Sequence, residues 1–393
     1  VQITAIRHVT VPIESEMANA FISFASMDVS VLAIITDQVL DGEPVIGYGF
    51  NSNGRYAQPG ILDHRIVPRL LAAAPDSLIG PESGHLDPEL IWRAAMINEK
   101  PGGHGDRAVA VGILDMAAWD LAAKLAGRPL HHQLAERAAA GLGTPLERVW
   151  VYAAGGYYYP DRGIPALLDE LSGYLDLGYR TVKLKIGGAT LADDLRRIEA
   201  VLAMLPAGAD LAVDANGRFD AATAIDYAVA LRELPLRWYE EPVDPLDFRA
   251  LAEVAEAYPG PLATGENLLS RQEAVNLVRY GGLRPDRDVL QMDSALSYGF
   301  TEYDRTLAAL ADHGWSKERC VPHGGHQFNL AIAAACGLGG AESYPGIFEP
   351  FGGFADGDQV VDGYVTLPDV PGIGLEAKAS LAPILAGLRD GTR

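Results

Sequence analysis

Asp214, Glu240 and Glu266 form a donor set of hard carboxylate oxygens with no thiol or imidazole among them, which suits Mg²⁺ and leaves room for water and a chelating substrate. Without a cation, three carboxylates on one rim would repel and raise one another's pKa, so a metal is the simpler account. Lys183 and Lys185 stand two apart and share a face if the segment is a strand. Lysines are seldom buried without a partner. Two neighbouring ammonium groups should lower each other's pKa, as a lysine working as a base near neutral pH requires. His323 with Asp293 offers a second acid/base: a carboxylate on one ring nitrogen fixes the tautomer and leaves the other nitrogen to move protons. His326, close by, reads as structural.

These groups together suit removal of a proton α to a carboxylate. A positioned base contributes roughly 10² to 10⁴-fold, so most of the stabilisation must fall on the developing dianion, through the cation and Lys183. His323 could then protonate carbon, giving racemisation, or a β-hydroxyl, giving loss of water. The pair alone does not choose between them.

Each chemical residue closes a short apolar run: TVKLKIG, LAVDANG, RWYEEP, PLATGEN, VLQMDS and RCVPHGG. Helical patterns lie between, such as Leu191, Leu195, Ile198, Leu202 and Leu205 at steps of three and four. Asp214 to Glu240 and Glu240 to Glu266 are both 26 residues, near the ~30 per unit of a (β/α)-barrel, whose active sites form at the C-terminal strand ends. Residues 1–145 have another texture. The alternating start VQITAIRHVTVPI, the run VSVLAIITD and a long helical stretch closing on Gly127 indicate an α+β region. The first barrel strand is VWVYAAGG, the barrel extends over 146–345, and the Gly/Pro-rich tail 346–393 is expected to pack back on the N-terminal part.

With 393 residues and 49% apolar content, the chain can bury a sizeable core. Its formal charge of −21 argues against gripping nucleic acid or an anionic membrane, which takes clustered Lys and Arg. Cys320 and Cys336 are too few for a disulfide framework. The start lacks the character of a signal peptide, and no apolar run approaches the length of a membrane helix, so the cytoplasm is the default location. No nucleotide-loop, serine-hydrolase or zinc-peptidase motif is present. Oligomeric state is not readable, and a homo-oligomer is compatible with the sequence.

The pattern resembles the enolase superfamily in its mandelate racemase-like subgroup. Lys183-Leu-Lys185, Asp214-Ala-Asn216, Glu240 in WYEEP, Glu266 in TGEN, Asp293, His323 in VPHGG and the helix ILDMAAWDLAAKLAGRPL carry the likeness. It implies an α+β capping domain on a (β/α)7β modified TIM barrel holding one Mg²⁺, with Glu240 rather than Glu241 as ligand because alternation turns only one inward. The segments FNSNGRY, NEKPGGHGDRAVAVG, YAAGGYYYP and PHGGHQ are similar to the D-tartrate dehydratase group of that family. That likeness implies a small dicarboxylate hydroxy acid as substrate, with Lys185 taking the α-proton, His323 helping to expel the β-hydroxyl, and oxaloacetate as product. Asn19, Asn53, Lys100 and Asn216 are the candidate substrate contacts, Lys100 as the cation for a second carboxylate, with Arg55 and Tyr157 to Tyr159 as further lining residues. Alternatives are a dehydratase of another aldarate or aldonate, a 2-hydroxy acid racemase, and a non-catalytic binding protein.

Overall fold

A largely apolar run, buried on both faces along residues 29–36, forms the middle of the first sheet. In the computed structural model, which describes residues 1–393 except 14, 16, 82, 160, 161 and 393, β1 (Ile3–Pro12), β2 (Asp28–Leu40) and β3 (Glu43–Phe50) form an antiparallel meander. The helix Asp106–Leu125 is buried on every side from Ala108 to Ala123, as expected of a helix apolar all round. It packs against β2 and β3 and against the loop before the Phe300–Ala311 helix, where Gly112 allows close approach. A Cβ there would lie 2.1 Å from the Ala295 carbonyl oxygen. This helix seats the cap on the barrel.

The barrel strands are β4 (Arg148–Gly155), β5 (Thr181–Lys185), β6 (Asp210–Asp214), β7 (Leu236–Glu240), β8 (Leu262–Thr264) and β9 (Val289–Leu290), paired parallel in that order. β10 (Ala341–Ser343) closes the ring by pairing parallel with β4. Helices alternate with them. Leu191–Met204 starts where the Thr190 side chain accepts the Asp193 N–H at 3.2 Å, and Ile198 and Val201 point into the core while Leu191, Leu195 and Leu202 pack at its edge.

The structure departs from the sequence reading in two places. RCVPHGG occupies the seventh position but is no regular strand: Val321 N–H donates to Leu290 O at 2.8 Å and His323 N–H to Gln291 O at 3.3 Å. Pro322 between them has no N–H to give, and Gly324 and Gly325 turn away at positive φ. The tail also divides. β11 (Val360–Val361) and β12 (Tyr364–Thr366) form a hairpin that pairs antiparallel with the start of β4, on the barrel. Only the later part, with the Ala382–Asp390 helix, packs on β1 and β2. No helix among the described residues is long and apolar enough to cross a membrane.

Candidate active site and metal centre

Alternation along β5 sends Val182 and Leu184 one way and Lys183 and Lys185 the other. Both lysines are buried, and they sit in different layers. Lys185 is at the rim, where Nζ meets Asp214 Oδ2 at 2.5 Å and lies 5.2 Å from the centre of the Tyr157 ring. Lys183 is beneath, with Nζ 2.7 Å from Glu240 Oε1, 2.7 Å from Glu342 Oε1 and 3.4 Å from Asp214 Oδ2.

That placement bears on two expectations for Lys183. It does not line the cavity above the rim. Its pKa is also not lowered: burial works against the ammonium, but Glu240, Glu342, Tyr152 and Asp214 outweigh burial and hold it well above the ordinary value.

Asp214, Glu240 and Glu266 each offer an oxygen, and these lie within 4.8 Å of one another. Burial opposes ionisation of Asp214, yet Lys185 and then Lys183 keep its carboxyl below the usual range. Glu240 is pushed up to about 8, first by burial and then by the Asp214 charge. Its Oε2 accepts Trp238 Nε1–H at 2.8 Å and Gln291 Nε2–H at 3.0 Å. Glu266 Oε2 is buried with no hydrogen-bond partner among the described residues. An orphaned carboxylate oxygen beside two further carboxylates is the condition a divalent cation relieves, so these residues fit a hard metal ion.

Glu240 and not Glu241 belongs to the group of three carboxylates, as expected, although Glu241 does not face solvent either. Its positive φ of 38° breaks the strand's regularity, and it is buried with both oxygens accepting from Asn267 Nδ2 at 2.9 Å. Burial, then Glu266 and Asp214, raises its pKa well above the ordinary value.

The His323–Asp293 pair assembles at the seventh position. His323 Nδ1 lies 3.0 Å from Asp293 Oδ2, while Nε2 lies 2.9 Å from the Tyr344 hydroxyl and 3.6 Å from Glu266 Oε2. Asp293 is held in turn by Asn329 Nδ2–H at 3.0 Å and Ala295 N–H at 2.9 Å. Burial disfavours the imidazolium, but Glu266, Glu342 and Asp293 raise His323 to about 9. His326 instead caps the Gln327–Cys336 helix, with Nδ1 accepting Asn329 N–H at 3.4 Å.

Lys185, Glu266 and His323 open onto one cavity of about 350 Å³, which Asn19, Asn53, Asn216, Arg55, Tyr157 and Tyr344 also line. Asn53 leaves both amide atoms buried without partners and Asn216 leaves its Oδ1 so, as groups awaiting a polar ligand would. Asn19 has one end committed, since its Oδ1 accepts Phe21 N–H at 2.8 Å and Ile22 N–H at 2.7 Å. Lys100 is not in this cavity. It lines a different pocket with Trp92, Arg107, Arg271 and Glu302, whereas Arg55 lines the cavity beside Lys185. Tyr158 and Tyr159 likewise face a separate pocket with Arg162 and Arg197.

Sequence reasoning missed Glu342, Tyr344 and Gln291. Glu342 sits in a three-residue strand, AES, too short to show a period. The GlyGly of RCVPHGG was the available signal that backbone comes close there: Gly324 N–H donates to Glu342 Oε2 at 3.0 Å.

Comparison with known proteins agrees with the fold and the chemistry. A family model described as Enolase C-terminal domain-like matches residues 166–381. The chain is 30% identical over 308 residues to L-talarate/galactarate dehydratase of Salmonella typhimurium, covering 77% of this chain and 71% of that protein. It is 24% identical to arabinonate dehydratase of Saccharolobus solfataricus, covering 87% and 88%. Among solved structures, L-talarate dehydratase from Polaromonas sp. JS666 complexed with Mg and L-glucarate superposes with a TM-score of 0.74 at 25% identity, covering 94% of this chain and 92% of that one. With the matched region, the barrel closed by β10 and the three carboxylates on successive strand ends, the chain belongs to the enolase superfamily.

Proposed function

We propose that this chain is a Mg²⁺-dependent hydro-lyase that dehydrates a hydroxylated sugar-type acid to a 2-keto acid. The observation that carries the reading is that Lys185, Glu266 of the carboxylate triad and His323, paired with Asp293, open onto one cavity. Asp214, Glu240 and Glu266 would hold the cation, which supplies charge neutralisation at the substrate carboxylate. Lys185 removes the proton α to that carboxylate, and Lys183 keeps Glu240 and Glu342 in place below. His323 delivers a proton to the β-hydroxyl as its C–O bond breaks. Asp293 on Nδ1 orients the ring and stabilises its charged form until the proton leaves. The enol left behind tautomerises to the 2-keto acid, so one water is lost and no oxidant is needed.

The relatives support this class: those named above are dehydratases of talarate/galactarate and of arabinonate. A narrower reading, dehydration of D-tartrate to oxaloacetate, is favoured by the segments FNSNGRY, NEKPGGHGDRAVAVG and PHGGHQ. Asn53, Arg55 and His323 from those segments line the cavity. Incubation with Mg²⁺ and a panel of tartrates, aldarates and aldonates, reading 2-keto acid, tests both. Keto acid from longer sugar acids but from no tartrate ends the narrow reading. Exchange of the α-proton without keto acid makes the chain a racemase, and neither signal from any acid removes the catalytic assignment.

A further inference from the structure

The carbonyl oxygen of Lys185 accepts a hydrogen bond from the guanidinium of Arg197, on the helix after β5, at 2.7 Å. The same guanidinium donates to the Gly156 carbonyl at 2.9 Å, and Lys185 N–H donates to that carbonyl at 3.3 Å. Arg197 also meets Asp194 Oδ1 at 3.2 Å and lies 4.2 Å from the centre of the Tyr158 ring.

Asp194 is fully buried and accepts from Tyr158 OH at 2.8 Å, Tyr227 OH at 3.0 Å and Gly187 N–H at 2.7 Å. Tyr158 reaches the cap. Its N–H donates to Ala18 O at 3.0 Å, and Ala18 bridges to Ser23, closing the turn that carries Asn19, Phe21 and Ile22 into the cavity. Residues 156–158 thus bind the base-bearing end of β5 at one end and the cap turn at the other.

We propose that Arg197 is a positioning residue that fixes the end of β5 at Lys185 and, through Asp194 and Tyr158, holds it in register with the cap turn 17–24. The catalytic half of this inference rests on Lys185 being the base, whereas the mechanical half does not. A planar fork donates to two carbonyls in one fixed geometry, which a flexible ammonium holds less rigidly. A shift of about 1 Å at a base can cost on the order of 10²-fold in rate.

Hydrogen exchange read by mass spectrometry tests the mechanical half without substrate. Arg197→Ala and Tyr158→Phe should each speed exchange about tenfold or more in peptides covering 183–188 and 17–24, while 236–240 stays protected. Arg196→Ala, one residue away and paired among the described residues with Asp193 at the surface, should change neither. Unaltered exchange at 17–24 in both variants overturns the coupling.

With an acid that the wild type turns over, Arg197→Ala should lower kcat about 10- to 100-fold with KM within about threefold, and Arg197→Lys should restore part of it. A change confined to KM, or none, overturns the positioning role. A wild type inactive on every acid refutes the proposed function, and the exchange result still decides the coupling.

Discussion

At the scale of single residues, two lysines that look equivalent in TVKLK do different work, because only the rim layer meets the cavity. Lys185→Met should therefore abolish exchange of the substrate α-proton in D₂O. His323→Asn should keep that exchange while losing keto acid by at least about 10²-fold, the usual worth of a positioned acid. Proton NMR of the substrate and a keto-acid assay on the same samples separate the two, and loss of exchange in His323→Asn would put His323 on the α-proton instead. Tyr344→Phe removes the hydroxyl 2.9 Å from Nε2 but not the ring that packs on Phe348. It should alter the pH profile of keto-acid formation while leaving the thermal midpoint near that of wild type. The residues that repeat once per strand were legible from sequence because charge at a strand end is unusual. Glu241 and Glu342 were not, since one depends on a positive φ and the other on a strand of three residues.

At the scale of elements, long periodic helices and the strands β4 to β8 follow from patterning, while the junctions do not. The seventh barrel position is held by backbone hydrogen bonds to Leu290 and Gln291 on one side and from Gly339 and Glu342 on the other, and β12 belongs to the barrel although it lies in the tail. Both depend on partners remote in sequence, which a local period cannot show. Glu99 is another such junction. It binds Arg65 and Arg69, from the helical stretch 62–72, and Arg107, at the start of the helix that seats the cap, with contacts of 2.5, 2.8 and 2.9 Å. Burial opposes its ionisation, but hydrogen bonds from Arg65, Arg69 and Arg107 bring it from 4.5 down to about 2. A depressed carboxyl stabilises the fold above its unfolded pKa and loses that contribution as pH falls through the folded one. Melting followed between about pH 5 and pH 2 should show this loss, roughly 1–2 kcal/mol after allowance for the exposed Arg65. Glu99→Gln should be less stable at neutral pH and flatter across that window, and an unchanged slope would assign acid sensitivity elsewhere.

At the scale of the whole molecule, the cap and barrel are joined by a buried carboxylate as well as by apolar packing. Asp115, on the helix that seats the cap, accepts Thr301 N–H at 3.1 Å through Oδ2 and Thr301 Oγ1–H at 2.5 Å through Oδ1, both from the Phe300–Ala311 barrel helix. The rim and the layer beneath it gather Asp214, Glu240, Glu241, Glu266, Asp293 and Glu342 around Lys183, Lys185 and His323, so carboxylates outnumber these cations at the C-terminal end of the barrel. A cation bound only by the folded chain must then stabilise it by mass action, about 2.7 kcal/mol at a hundredfold excess over Kd. For a chain of 393 residues that corresponds to a rise in Tm of roughly 2–4 °C. Differential scanning fluorimetry with Mg²⁺ against EDTA reads this without any substrate. Asp214→Asn should abolish the rise, because it removes a ligand oxygen and leaves Lys185 without its partner. Lys100→Ala, whose side chain lines a different pocket, should preserve it. A Tm unmoved by Mg²⁺ in the wild type would remove the triad from metal binding and leave its charge to be balanced by protons, with Glu240 and Glu241 as the groups already raised toward that state.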